Sequence, residues 1–151
     1  MKIIFLDIDG VLNNSISNYE FDPVSVACLN LLIEATGAKV VITSLRKETE
    51  GMKILRSKLL NAGFTGGVIG GTPIMKGETK NGLVIETDLR EKEILLWLSL
   101  AKKYNSELDF VIFDDVSQYK VLIKNFVYVD KETGLGPQHI EIAGKILNDK
   151  Y

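Results

Sequence analysis

The chain has 151 residues, 18 basic and 20 acidic, so its formal net charge is −2 and no global basic field draws it to nucleic acid or anionic membrane. With 46% hydrophobic and 25% charged residues it has the composition of a soluble globular protein, sized for one domain over 1–151. The sole cysteine, Cys28, excludes an internal disulfide and a cysteine-based zinc site and suits a reducing cytoplasmic setting.

The chain opens Lys2-Ile3-Ile4-Phe5-Leu6, then Asp7-Ile8-Asp9-Gly10-Val11-Leu12-Asn13. The apolar, β-branched run predicts a buried strand over roughly residues 2–7. Asp7 interrupts it, so it does not read as a signal peptide. No later apolar run approaches the ~20 residues of a membrane helix. Residues 13–20 form a polar loop too short for an inserted domain. Asp22-Pro23 predicts an N-cap and first helical position, with Val26, Leu29, Leu32 and Ile33 at helical spacing and Gly37 as the stop.

Lys39-Val40-Val41-Ile42 predicts a second buried strand ending at Thr43-Ser44. A helix is expected from Lys47 or Glu48 to Asn61, with Ile54, Leu55, Leu59 and Leu60 inward. Val68-Ile69 reads as a short strand, Gly70-Gly71-Thr72-Pro73 as a turn, and residues 75–81 as a polar loop offering Lys76 and Lys80 to a substrate. Leu83-Val84-Ile85 is a strand or an apolar lining. Residues 89–104 are strongly helical, with Ile94, Leu95, Trp97, Leu98 and Ala101 on one broad face. Phe110-Val111-Ile112-Phe113 and Phe126-Val127-Tyr128-Val129 predict further strands, ending at Asp114-Asp115 and Asp130. A last helix over 138–148 turns Ile140, Ile142 or Ala143, Ile146 and Leu147 inward. His139, Cys28 and Trp97 read as structural residues, and Asp130 as a turn former.

Strands alternate with helices, which predicts a three-layer α/β sandwich with a mainly parallel, Rossmann-like sheet and no cap domain. If the strands ending at Asp7, Thr43 and Asp114 are adjacent and parallel, they pool their oxygen-bearing side chains at the carboxyl edge, where open α/β sheets bind ligands. Two carboxylates on one strand end repel each other, and a cation such as Mg²⁺ would offset that repulsion. One carboxylate can then attack an electrophile while the other shuttles a proton. The hydroxyl of Thr43 or Ser44 and a basic side chain can hold phosphate oxygens, and Arg46 and Lys47 follow close behind.

Asp7-Ile8-Asp9-Gly10-Val11, Val40-Val41-Ile42-Thr43-Ser44 and Phe113-Asp114-Asp115 together resemble the first, second and fourth motifs of the haloacid dehalogenase-like (HAD) phosphohydrolases. Thr43-Ser44-Leu45-Arg46, Arg90-Glu91-Lys92-Glu93-Ile94 and Asp130-Lys131-Glu132-Thr133-Gly134-Leu135 narrow the resemblance to small HAD domains linked to nucleic-acid repair proteins, although Leu45 stands where that subgroup often has an aromatic. The resemblance implies a Mg²⁺-dependent phosphomonoesterase. Asp7 would be the nucleophile, forming an aspartyl-phosphate. Asp9 would be the proton donor and later base, giving its backbone carbonyl to the metal.

It further implies that Thr43, or Ser44, contacts the phosphoryl group, with Gly10 and Arg46 beside the substrate. Arg90 is preferred to Lys92 as the basic residue, and Asp114, supported by Asp115, completes the metal shell with Asp7. The expected partner is a phosphorylated substrate, a nucleic-acid end or a small metabolite, with no membrane and no obligate protein partner. A non-catalytic module that holds Mg²⁺ or a phosphorylated ligand in the same acidic pocket is the alternative.

Overall fold

A computed structural model describes residues 1–18, 20–75, 78–80, 83–85, 89–116 and 118–148. Its central strand, β1 (Lys2–Leu6), is flanked by parallel partners on both sides: β2 (Lys39–Ile42) and β6 (Asp109–Asp114). β3 (Val68–Gly71) and β7 (Phe126–Tyr128) are the edges of a five-stranded parallel sheet of order β3-β2-β1-β6-β7. A strand covered on both faces is apolar throughout, and Ile3, Ile4, Phe5 and Leu6 are all fully buried.

Alternation along the strands splits the core. Ile4, Leu6, Val40, Ile42, Val111 and Phe113 face α1 (Pro23–Thr36), α2 (Met52–Asn61) and α4 (Pro137–Leu147). Ile3, Phe5, Val41 and Ile112 face α3 (Leu89–Ala101). The three-layer parallel α/β expectation is met. The caps also follow the sequence: Asp22 accepts from Val24 N, Gly37 adopts φ 68° at the end of α1, and His139 Nδ1 accepts from Gly136 N at the start of α4.

Four local expectations are corrected. The helix expected from residue 47 begins as a π-helical turn, Lys47–Gly51, and becomes α-helical only at Met52. In α2 only Leu55 and Leu59 are buried, while Ile54 and Leu60 face solvent, because this surface helix presents a narrow stripe to the sheet. Gly70 and Gly71 extend β3 along β2 and do not form a turn.

Residues 78–80 are not loop. They form β4 (Glu78–Lys80), paired antiparallel with β5 (Leu83–Ile85) in a two-stranded ribbon between β3 and α3. The substrate role expected of Lys76 falls outside the described residues. In α4 it is Ala143, not Ile142, that packs inward. Among the described residues, no helix is long and apolar enough to cross a membrane.

Candidate active site

Because β2, β1 and β6 are neighbours and parallel, their carboxyl ends bring Thr43, Asp7 and Asp114 to one edge. Asp7 leaves β1 still tied to β6, its N–H donating to Phe113 O at 3.1 Å. Its carboxylate is only 6% exposed; Oδ1 accepts from Ile8 N at 2.9 Å, and Oδ2 forms an ion pair with Arg90 Nη1 at 3.0 Å. Burial raises this carboxyl well above the usual aspartate range. Arg90 pulls the other way, and Asp114 and Asp115 add to the rise.

The same Arg90 nitrogen lies 3.0 Å from Asp114 Oδ2. Burial works against the guanidinium charge, but Asp7 and Asp114 outweigh it and hold the arginine more firmly protonated than usual. Tyr119 also donates to Asp114 Oδ2, at 2.8 Å, and Val116 N donates to Oδ1 at 3.2 Å. Both Asp114 oxygens are therefore engaged. The half-buried Asp115 sits over Gly10. There the chain has φ +85°, and an added Cβ would come within 2.5 Å of Asp115 Oδ2, so only glycine fits.

Asp9 contrasts with Asp7. Its side chain is 56% exposed, accepts from Asn13 Nδ2 at 2.9 Å and meets Arg46 Nη1 at 3.4 Å. Asn13 Oδ1 also takes the Gly10 N–H, so one fully buried amide side chain fixes the turn that carries Asp9. The tail motif braces this turn from behind: Leu135 N donates to Val11 O, Ser25 Oγ to Leu135 O, and Ser15 Oγ to Glu132 Oε2.

At the end of β2 the two hydroxyls differ. Ser44 Oγ accepts from Arg46 N at 3.2 Å. Thr43 Oγ1 is buried with no hydrogen-bond partner among the described residues, yet Thr43 lines the cavity. That cavity, about 770 Å³, has Asp7, Asp9, Thr43, Ser44, Arg46, Arg90 and Asp115 in its wall, together with the apolar Leu45, Met75, Leu89 and Val116. Asp114 is fully buried and Gly10 packs against Asp115. Lys92 is exposed and is not brought to the cavity wall.

The family whose sequence model describes the HAD domain in Swiss Army Knife RNA repair proteins matches residues 3–140. The chain belongs to this HAD family. Comparison with curated proteins and with solved structures gave no match. Membership implies a phosphatase-type hydrolase, and HAD domains usually use a divalent metal. The residues of this HAD domain fit such an ion: Asp7, Asp114 and Asp115 each offer a carboxylate oxygen, all within 4.8 Å of one another. An all-oxygen donor set suits a hard cation.

Four contributors escaped the sequence reading. Asn13 lies two residues beyond the first motif. Tyr119 lies in a stretch with no regular pattern. Glu91 and Glu93 look like solvated charges, yet both are buried: Glu91 Oε1 accepts from Lys120 N and Leu122 N, fixing the loop that carries Tyr119, and Glu93 Oε1 accepts from Met75 N.

Proposed function

We propose that this HAD domain is a Mg²⁺-dependent phosphomonoester hydrolase working through an aspartyl-phosphate on Asp7. The observation that carries this reading is the Asp7 carboxylate, held by Arg90 at an acid cluster in the wall of an open cavity, with the partnerless Thr43 hydroxyl in the same wall. Asp7 Oδ attacks phosphorus as the ester P–O bond breaks. Asp9, exposed and able to exchange protons with water, gives its proton to the departing alkoxide. It then takes one from the water that attacks the acylphosphate, releasing inorganic phosphate and regenerating Asp7. Arg90 and the Thr43 hydroxyl stabilise charge on the phosphoryl oxygens. Asp7, Asp115 and the Asp9 backbone carbonyl, with Asp114 behind them, would hold Mg²⁺, whose charge screens the repulsion between carboxylate and phosphate.

As substrate we propose a phosphorylated nucleic-acid end. The description of the family supports this choice, and so does the flank of the cavity. Arg46 separates the site from a second cavity of about 430 Å³ lined by Phe21, Lys58 and Asn61, and its guanidinium lies 5.5 Å from the Phe21 ring centre. A flat cation on an aromatic ring beside a lysine can take a base and a backbone phosphate. The buried lone Cys28 fits a reducing, cytoplasmic setting.

The test is hydrolysis of a generic aryl phosphate with and without Mg²⁺, wild type beside Asp7→Asn, followed by RNA and DNA ends against small phosphate esters. Metal-dependent release lost in the variant is the expected result. Preference for small esters would move the substrate to metabolites. Mg²⁺ binding without turnover of any substrate would replace the enzyme reading with a binding module.

A further inference from the structure

Lys47 sits where the sequence shows an exposed helix start, and its neighbours Glu48 and Thr49 are indeed exposed. Lys47 is buried, with 8% exposure. Its ammonium donates to Thr43 O at 3.0 Å and to Ser44 O at 3.3 Å, the carbonyls at the point where β2 leaves the sheet. Two further features make room for it. The turn Lys47–Gly51 is π-helical, a rare element that often marks functional sites, and it ends at Gly51 with φ 87°. On the other side Gly71 has no positive φ to explain it, but a Cβ there would lie 2.6 Å from Lys47 Cδ.

A buried ammonium is costly, and an apolar side chain would fill the same space without that cost. Burial pushes the ammonium's pKa down; Glu93 and Asp7 pull it back up, and Arg90 opposes them. What the ammonium holds is the turn that carries Thr43. Thr43 Oγ1 has no side-chain or backbone partner among the described residues, so only its own backbone sets its position.

We infer that Lys47 is a positioning residue: by bonding the Thr43 and Ser44 carbonyls it fixes the Thr43 hydroxyl for the transferring phosphoryl group. This rests on the phosphatase reading. Lys47 does not line the cavity. It acts through Thr43, so its effect should vanish when the Thr43 hydroxyl is absent.

The experiment is a double-mutant cycle on the Mg²⁺-loaded protein with an aryl phosphate, using wild type, Lys47→Met, Thr43→Val and the double variant. Lys47→Met keeps the stem and removes the ammonium. The expected result is a fall in kcat of about 10- to 100-fold in each single variant with KM within about threefold, and a double variant no slower than Thr43→Val alone. Gly71→Ala, which displaces the stem but leaves both site groups intact, should lower kcat in the same way. Losses that multiply in the double variant, or a Lys47→Met protein with wild-type kcat, would overturn the inference while leaving the phosphatase reading in place. A folded wild type that neither turns over nor binds inorganic phosphate would overturn that reading, and the inference with it.

Discussion

Two aspartates two residues apart on one turn each meet an arginine, and the two pairs sit in opposite environments. Asp7 and Arg90 meet at 3.0 Å with side-chain exposures of 6% and 27%. Asp9 and Arg46 meet at 3.4 Å with exposures of 56% and 20%. In the first pair burial strengthens every interaction and fixes the carboxylate at the strand end, where the proposed mechanism needs its nucleophile. In the second, water screens the charges and leaves the carboxylate exposed in the cavity wall, where the proposed mechanism needs its proton shuttle. Residue type is the same in both, so the environment assigns the task.

The sharpest break of this comparison is at Asp7. Asp7→Asn should lower kcat by roughly 10⁴-fold or more while the circular dichroism spectrum stays that of the wild type, because in the proposed mechanism Asp7 carries the covalent intermediate. Turnover close to wild type would remove Asp7 from the chemistry. At Asp9 the expected loss is smaller, about 10²- to 10⁴-fold, since water can partly replace a proton shuttle. Rapid-quench measurement should show both formation and breakdown of the aspartyl-phosphate slowed; if formation alone slows, a different group serves as the base.

Stability should separate the pairs as well. Burial raises the Asp7 carboxyl, so in the metal-free protein the folded state keeps a proton that the unfolded chain releases. The stability Asp7 contributes is therefore full below the ordinary aspartate pKa of about 4. It is lost as pH rises through the window up to the raised folded value. Asp115 and Glu93 are shifted in the same direction and remain in both proteins, so urea unfolding of Asp7→Asn against wild type reports Asp7 together with its effect on Asp115, whose side chain it contacts. The difference should move in favour of the variant as pH rises through that window and then level off. A difference that does not vary with pH would show that Arg90 cancels the effect of burial. The smallest effect belongs to the outer pair: Arg46→Ala, which also breaks the 2.9 Å ion pair to Glu50, should lower unfolding free energy by about 1–2 kcal/mol. It should weaken binding of a nucleic-acid end more than that of an aryl phosphate, and equal weakening would detach Arg46 and its flanking cavity from substrate choice.

Much of this was legible in the primary structure. The β-branched run into Asp7-Ile8-Asp9-Gly10 specifies a buried strand with acids at its carboxyl end, and the alternation of strands and helices specifies a parallel sheet. The Asp22 cap and the Gly37 stop are local chemistry, independent of the rest of the chain. What failed were readings that depended on which neighbour covers a residue. Gly70-Gly71 looks like a turn until β2 supplies hydrogen bonds, and Ile54 and Leu60 look like core until the width of the α2 stripe is known.

The sequence by itself determined the element types, the parallel α/β class and the set of oxygen-bearing residues at the strand ends, because periodicity and capping act within a few residues. Only the tertiary structure decided how those residues divide the work. Packing α3 on the sheet brings Arg90 to Asp7 and Asp114 and leaves Lys92 in solvent. The Arg46 N–H occupies Ser44 Oγ while Thr43 Oγ1 stays without a partner. The glycine at position 71 lets Lys47 fold under the β2 turn. Each of these depends on burial and on contacts between segments far apart in the chain, and a charge carries no mark in the sequence of whether water will reach it.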